Sequence, residues 1–214
     1  MRALDLFCGA GGASEGLRRA GFEVVGVDLE PQPRYPFTFH CADALTFPLD
    51  GYDLIWSSPP CQAYSCGAGM NGTRHLHPDL IAAVRERMPS GIPWVIENIM
   101  PAASRLRSPF MLCGAMFGLG VFRHRLFETS FPVLAPMHPR HAGRIGDGRY
   151  HTVTGHAGGS SRRDGWKGGT VKDWRRAMGI EWMTGDELAE AIPPAYSEWI
   201  ALQLAQVGDL CSGR

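Results

Sequence analysis

The chain has 214 residues, is 44% hydrophobic, and carries 21 basic against 21 acidic residues, so its formal net charge at pH 7 is zero. That length suits one α/β domain with a real core and leaves no room for a second large domain. The charge balance excludes a uniformly basic polyanion binder, and no apolar run approaches the roughly 20 residues of a membrane helix.

Compartment follows from the cysteines. Those at positions 8, 41, 61, 66, 113 and 211 show no Cys-x-x-Cys pairing, and the start has no charged stretch followed by an apolar core. The expectation is a soluble, cytoplasmic protein with free thiols, taken as a monomer.

In chain order, Ala3 to Phe7 is a short apolar strand that breaks into Cys8-Gly9-Ala10-Gly11-Gly12. Ser14 is then placed to cap a helix through Arg19 that stops at Gly21. Phe22 to Val27 is a second strand, apolar nearly throughout as a buried parallel strand should be, and it ends on Asp28. Asp43 closes a third short segment, and Tyr52 to Ser57 is a fourth strand.

Ser58-Pro59-Pro60-Cys61-Gln62 follows that strand, and two prolines fix the angle at which Cys61 leaves it. A thiol there, above the carboxyl edge where open α/β sheets bind ligands, is a candidate nucleophile; a small buried hydrophobe is the other reading. Ser65 to Thr73, with Gly67, Gly69 and Gly72, is expected to be a loop, and Pro78 to Met88 a helix. Trp94-Val95-Ile96 is a strand ending on Glu97 and Asn98. From Phe122 to Thr129 apolar and charged residues alternate, which predicts a strand with Arg123 and Arg125 on one side. Asp173 to Leu188 and Pro194 to Val207 read as helices broken by Ile192-Pro193-Pro194.

The turn at Gly9, Gly11 and Gly12, followed by Asp28 at the next strand end, is a nucleoside-binding pattern. It lacks the third glycine of a dinucleotide fingerprint and has no Gly-Lys-Ser/Thr, so S-adenosyl-L-methionine, which carries adenosine without phosphate, fits better. Charge is uneven: between Phe131 and Arg176 nine basic residues face three acids, giving +6, and the remainder of the chain is −6. A basic, glycine-rich insert on an acidic body suits contact with phosphates, or else a solvated loop. His75 with His77, and His138 with His141, are too sparsely spaced and too far from cysteines to predict a metal, so none is expected.

Taken in order, Asp5-Leu6-Phe7-Cys8-Gly9-Ala10-Gly11-Gly12, Pro59-Pro60-Cys61-Gln62-Ala63-Tyr64-Ser65, Glu97-Asn98-Ile99 and Arg123-His124-Arg125-Leu126-Phe127 resemble the motifs of the DNA (cytosine-5-)-methyltransferase family, over about residues 3 to 128. The resemblance implies a Rossmann-like, class I S-adenosylmethionine-dependent methyltransferase fold with a small basic insert. It divides the chain into a catalytic core (1–130), a reduced target-recognition segment (131–176) and C-terminal helices completing the core (177–214). It implies methyl transfer to carbon 5 of cytosine in double-stranded DNA, with Cys61 adding to carbon 6 of a base flipped from the duplex, by a small orphan or phage-type enzyme of a bacterial or phage-infected cell.

Glu97 would act at ring nitrogen 3, Asn98 would hold the Pro60-Cys61 turn, Arg125 would donate to the base's exocyclic oxygen, and Arg123 would support the thiolate or a phosphate. Asp5, Phe7, Gly9, Gly11, Gly12, Asp28, Leu29, Asp43 and Pro60 would line the cofactor site. Leu29 stands where the family often has an aromatic. Ser197, in Pro193-Pro194-Ala195-Tyr196-Ser197, would substitute for the family's Asn-Ser signature at the cofactor carboxylate. Arg74 would reach a phosphate from a lid after Ser65. Transfer to RNA (tRNA), or nucleic-acid binding without catalysis, are the alternative functions.

Overall fold

The structure, a computed structural model, describes residues 1–65, 74–143, 148–154 and 169–212, with side chains of the last helix to residue 204. The expected lid (66–73) lies outside those residues, as do Arg144, Arg162, Arg163 and Lys167 of the basic insert.

A seven-stranded sheet organises the chain, in the order β3-β2-β1-β4-β5-β7-β6. Its strands are β1 (Arg2–Leu6), β2 (Glu23–Asp28), β3 (Thr38–Cys41), β4 (Leu54–Ser57), β5 (Trp94–Ile99), β6 (Phe110–Leu112) and β7 (Arg125–Thr129). The first five pair in parallel, while β7 runs antiparallel to both β5 and β6. The helices are α1 (Gly12–Arg19), α2 (Ile81–Arg87), α3 (Val171–Met178), α4 (Gly185–Glu190) and α5 (Pro194–Ser212).

Alternation along β1 decides which layer each side chain enters. Leu4 and Leu6 join Val25, Val27 and Ile55 on one face, whereas Ala3 packs on the other with Val24, Trp56, Leu17 of α1, and Tyr196 and Ile200 of α5. Asp5 shares that second face and is wholly buried beneath α1. Helix α1 lies so close to α5 that a Cβ on Gly16 would sit 2.1 Å from the Pro194 carbonyl oxygen and Ser197 Oγ, so only glycine permits this contact. Gly12 is held likewise, its Cβ position falling 2.7 Å from the Ile192 carbonyl oxygen.

Three expectations give way to local geometry. Helix α1 is capped by Gly11 in the left-handed region (φ 91°), and Ser14, expected as its cap, lies inside the first turn with its hydroxyl donating to the Asp5 carboxylate. The expected helix from Asp173 to Leu188 is two helices: Gly179 (φ 71°) ends α3, and Thr184 starts α4 by a reciprocal capping box with Glu187. The expected strand from Phe122 begins at Arg125, because Arg123 takes a left-handed φ of 37° that breaks the period of two.

Candidate active site

Strand β4 delivers the chain to the carboxyl edge of the sheet, and Pro59-Pro60 carries it over that edge into one helical turn. The Cys61 carbonyl accepts from the amides of Tyr64 (3.0 Å) and Ser65 (3.1 Å), so the thiol stands at the start of that turn. Cys61 is half-buried, neither sealed in the core nor fully in solvent. On the adjacent β5, Asn98 is buried; its Nδ2 donates to the Pro59 carbonyl at 2.9 Å, and its Oδ1 accepts the Ile99 amide at 2.9 Å. One side chain thereby ties the proline turn to the next strand.

The antiparallel register of β5 and β7, with Ile99 opposite Arg125 and Glu97 opposite Phe127, places Glu97 and Arg125 diagonally on one face. Their side chains form an ion pair, Arg125 Nε to Glu97 Oε1 at 3.1 Å. The pair is not a directed hydrogen bond, and Oε1 stays buried without a hydrogen-bond donor. A carboxyl oxygen left without a partner in such a place carries a substantial desolvation cost and, once protonated, is suited to a ligand acceptor that is absent until binding.

Electrostatics link these groups to the thiol. Burial raises the Glu97 pKa, against the opposing pull of Arg125, a hydrogen bond from Ser58, and Arg123, which favours a protonated carboxyl able to donate. Burial also raises the Cys61 pKa, and the Glu97 charge adds to it, while Arg125 and Arg123 act in the opposite sense. Glu97 and Arg125 therefore set the thiolate fraction from opposite directions.

Arg123, expected to support the thiolate or a phosphate, acts on the Cys61 thiol through its charge. Its backbone is left-handed (φ 37°), and its guanidinium donates to the carbonyls of Val153 (2.6 Å) and Ala189 (2.7 Å). Burial and the neighbouring Arg125 push its pKa down to about 9, which leaves it cationic at neutral pH. It clamps the 151–154 segment and the end of α4 to the sheet edge that carries Cys61, and its effect on Cys61 is through space. Tyr196, which the sequence does not mark as functional, holds the same turn by donating to the carbonyls of Phe122 (3.2 Å) and Arg123 (3.0 Å). A pocket of about 150 Å³ opens between Arg125, Arg123, Thr152 and Val153.

At the other half of the edge, Gly9 (φ 50°) and Gly11 build the tight turn after β1, and the Gly9 amide donates to Asp28 Oδ2 at 2.9 Å. No atom lies within 4 Å of where a Cβ on Gly9 would be, so this face of the turn is open. The opposite face is covered: Trp182 Nε1 donates to the Ala10 carbonyl at 2.9 Å. Phe7, in a left-handed conformation (φ 59°), is half-buried at the same edge, and Pro60 is half-buried beside Cys61. Leu29 is 68% exposed, and Asp43 is an exposed turn residue whose Oδ1 accepts the Leu45 amide.

Two expected cofactor residues are placed elsewhere. Ser197 is fully buried and donates to the Ala13 carbonyl at 2.7 Å, because α5 packs against α1 at that point; it is a helix-to-helix fastening. Asp5 points under α1, where its carboxylate accepts from Ser14, itself bonded to the Tyr35 hydroxyl at 2.7 Å. Burial raises the Asp5 pKa to about 7. Glu190, unmarked in the sequence, has its pKa raised by burial and by the charge of Asp28. An open glycine turn bordered by acids, with no Lys or Arg in residues 3–17, fits a nucleoside bearing positive charge and does not fit phosphates.

Of the histidines, His138 and His141 converge with Cys113 and His124, which the sequence reading left apart. Arg74 opens a single 3₁₀ turn, Arg74–Leu76, and its side chain lies outside the described residues.

Residues 1–103 match the sequence model of the family described as C-5 cytosine-specific DNA methylase. No curated protein matches the chain in sequence. Among solved structures, a protein described as a DNA modification methyltransferase encoded within an E. coli prophage superposes with a TM-score of 0.60 at 14% identity, covering 98% of this chain and 99% of that one. The S. pombe Dnmt2 methyltransferase gives 0.58 at 13% identity, with 99% of both chains covered, and the Entamoeba histolytica methyltransferase EhMeth gives 0.60 at 9%, with the same coverage. At these identities the likeness is one of fold, a mixed α/β class I methyltransferase. Among the described residues no helix is long and apolar enough to cross a membrane.

Proposed function

We propose, from the match of residues 1–103 to the C-5 cytosine-specific DNA methylase model, that the protein methylates carbon 5 of cytosine in double-stranded DNA through a covalent bond from Cys61 to carbon 6 of a flipped base. The observation that carries this reading is the convergence of Cys61, Glu97 and Arg125 at neighbouring strand ends, with Glu97 Oε1 buried and without a hydrogen-bond partner.

Cytosine carbon 5 is a poor nucleophile. Addition of the Cys61 thiolate to carbon 6 pushes the ring electrons onto carbon 5 and nitrogen 3 and turns carbon 5 into an enamine carbon. Protonated Glu97 donates to nitrogen 3, an acceptor in the neutral base, and takes up the charge that develops there. Arg125 donates to the exocyclic oxygen from the same face. S-adenosylmethionine, when bound, supplies an electrophilic methyl group. Asp28 would accept from its ribose hydroxyls and the open face of Gly9 would lie against it, with Phe7 and Leu29 as apolar walls. Loss of the carbon 5 proton to water, with the electrons of that C–H bond forming the carbon 5–carbon 6 double bond and expelling the Cys61 sulfur as a thiolate, restores the aromatic ring.

Removing the base from the duplex costs a few kcal/mol of unstacking. The basic segment from 131 to 176 would supply phosphate contacts. Its short length predicts a short or relaxed recognition sequence and strongly salt-dependent binding.

Transfer of labelled methyl from S-adenosylmethionine to duplex DNA, tRNA and no substrate, for the wild-type chain and Cys61→Ser, tests the proposal. Label on cytosine of duplex DNA, absent in the variant, is expected. Label on tRNA alone would replace DNA by RNA as substrate, and salt-sensitive DNA binding without any transfer would remove the catalytic reading.

A further inference from the structure

We infer that Cys113, His124, His138 and His141 form a closed, four-ligand zinc site that fastens the start of the basic segment to the catalytic edge. The inference is independent of the methyl-transfer reading.

The ligand atoms of these four side chains all lie within 4.8 Å of one another. Cys113 Sγ is 3.4 Å from His141 Nε2, and the Nε2 atoms of His124 and His138 are 3.3 Å apart. Tetrahedral zinc, with bonds of about 2.0–2.1 Å to nitrogen and about 2.3 Å to sulfur, puts its ligand atoms about 3.3–3.6 Å apart. The two shortest contacts already match that spacing. One thiolate and three imidazoles are a borderline-soft donor set that suits zinc and gives calcium or magnesium no oxygen ligand.

The fold explains why the four meet. Leu112 pairs with Arg125 in the β6–β7 ladder, so Cys113, one residue beyond Leu112, and His124, one before Arg125, face each other at the next rung. The Gly114 amide continues the pairing to the Phe122 carbonyl at 2.7 Å. His138 and His141 come from an extended segment anchored on α5, where the Leu134 amide donates to Gln203 Oε1 at 2.8 Å and the Leu134 carbonyl accepts from Trp199 Nε1 at 3.0 Å. The Phe122 ring stacks on His141 with centroids 3.8 Å apart and planes 8° from parallel, which fixes that imidazole's orientation. Two ligands thus stand just beyond the ends of paired strands, and two on a loop that Thr129, Arg149 and side chains of α5 also hold.

Four protein ligands leave no open coordination position, so the ion would be structural. His124 lies between Arg123 and Arg125, which makes the ion a staple on the loop that leads into β7 and holds the Glu97 partner.

The test uses the full chain, stripped with a chelator and titrated with Co²⁺ in place of Zn²⁺. Expected are one equivalent bound, the intense visible absorption of tetrahedral cobalt, and a thiolate-to-cobalt charge-transfer band that Cys113→Ser removes. His138 is exposed, so His138→Ala should keep the fold by circular dichroism while binding Co²⁺ at least about 100-fold more weakly. His75→Ala should bind like the wild type. Binding as tight in His138→Ala as in the wild type, a weak octahedral spectrum, or no uptake by the folded chain would each overturn the assignment and leave a cluster of hydrogen-bonded imidazoles.

Discussion

The two halves of the sheet's carboxyl edge are built on opposite plans. At β1 and β2 the work is done by backbone: Gly9 and Gly11 shape the turn, Asp28 accepts the Gly9 amide, and the turn's far side is covered by Trp182. At β4, β5 and β7 the work is done by charged side chains with incomplete partners, Glu97 Oε1 lacking a donor and Arg123 Nε lacking an acceptor although both are buried. Asp5 Oδ1 beneath the first edge is buried without a partner too, so the two edges differ in what they offer a ligand: glycine backbone and carboxylates at one, a thiol beside a carboxyl and two guanidinium groups at the other. Under the proposed function the difference separates a cofactor edge from a reacting edge, and it can be broken from either side.

The largest effect is expected at the reacting edge. Cys61→Ser should lower methyl transfer on the order of 10³-fold or more while leaving cofactor Kd within about 2-fold, as measured by single-turnover kinetics and calorimetry. Glu97→Gln should cost about 10²–10⁴ in kcat, again with cofactor affinity nearly constant. Equal losses in both would place Glu97 at the cofactor edge and erase the distinction.

A subtler effect concerns the charge pair itself. Because Glu97 raises the Cys61 pKa and Arg125 lowers it, Glu97→Gln should shift the pH profile of Cys61 alkylation toward lower pH, and Arg125→Met toward higher pH. Peptide mass spectrometry reads Cys61 apart from the exposed Cys41. Shifts of one sign in both variants would mean that packing, not charge, controls the thiol.

Under the cofactor edge the signature is in stability. The folded chain holds a proton on Asp5 up to about pH 7, whereas an unfolded aspartate gives it up near the usual value of 3.8. The contribution is therefore fully present below pH 4 and is lost as pH rises through 7, by at most about 4 kcal/mol. Asp5→Asn should flatten that slope in urea titrations from pH 4 to 8. Smallest is Tyr196→Phe, which removes one hydroxyl from the carbonyls of Phe122 and Arg123 and should lower stability by about 1 kcal/mol with a modest loss in kcat.

How much of this was legible in the sequence divides along physical lines. Buried parallel strands declare themselves as apolar runs, and polar residues at their carboxyl ends mark the edge, which is why Asp28, Cys61, Glu97 and Asn98 could be named in advance. The left-handed backbone at Arg123 could not, since a non-glycine residue carries no mark of it, and the strand pattern pointed the wrong way. Ser197 and Asp5 were misplaced because burial depends on the packing of α1 against α5, set by residues far apart in the chain. Cys113 and His124 lie 25 and 14 residues before His138, and only the β6–β7 ladder brings them to it.

The most direct measurement is capture of the enzyme on duplex DNA carrying 5-fluorocytosine, whose fluorine blocks the loss needed to release the sulfur. The account predicts a denaturation-resistant complex that requires S-adenosylmethionine, with the base attached to Cys61 by peptide mapping and no complex from Cys61→Ser. An attachment at any other residue, or methylation of ordinary cytosine that persists in Cys61→Ser, would contradict it.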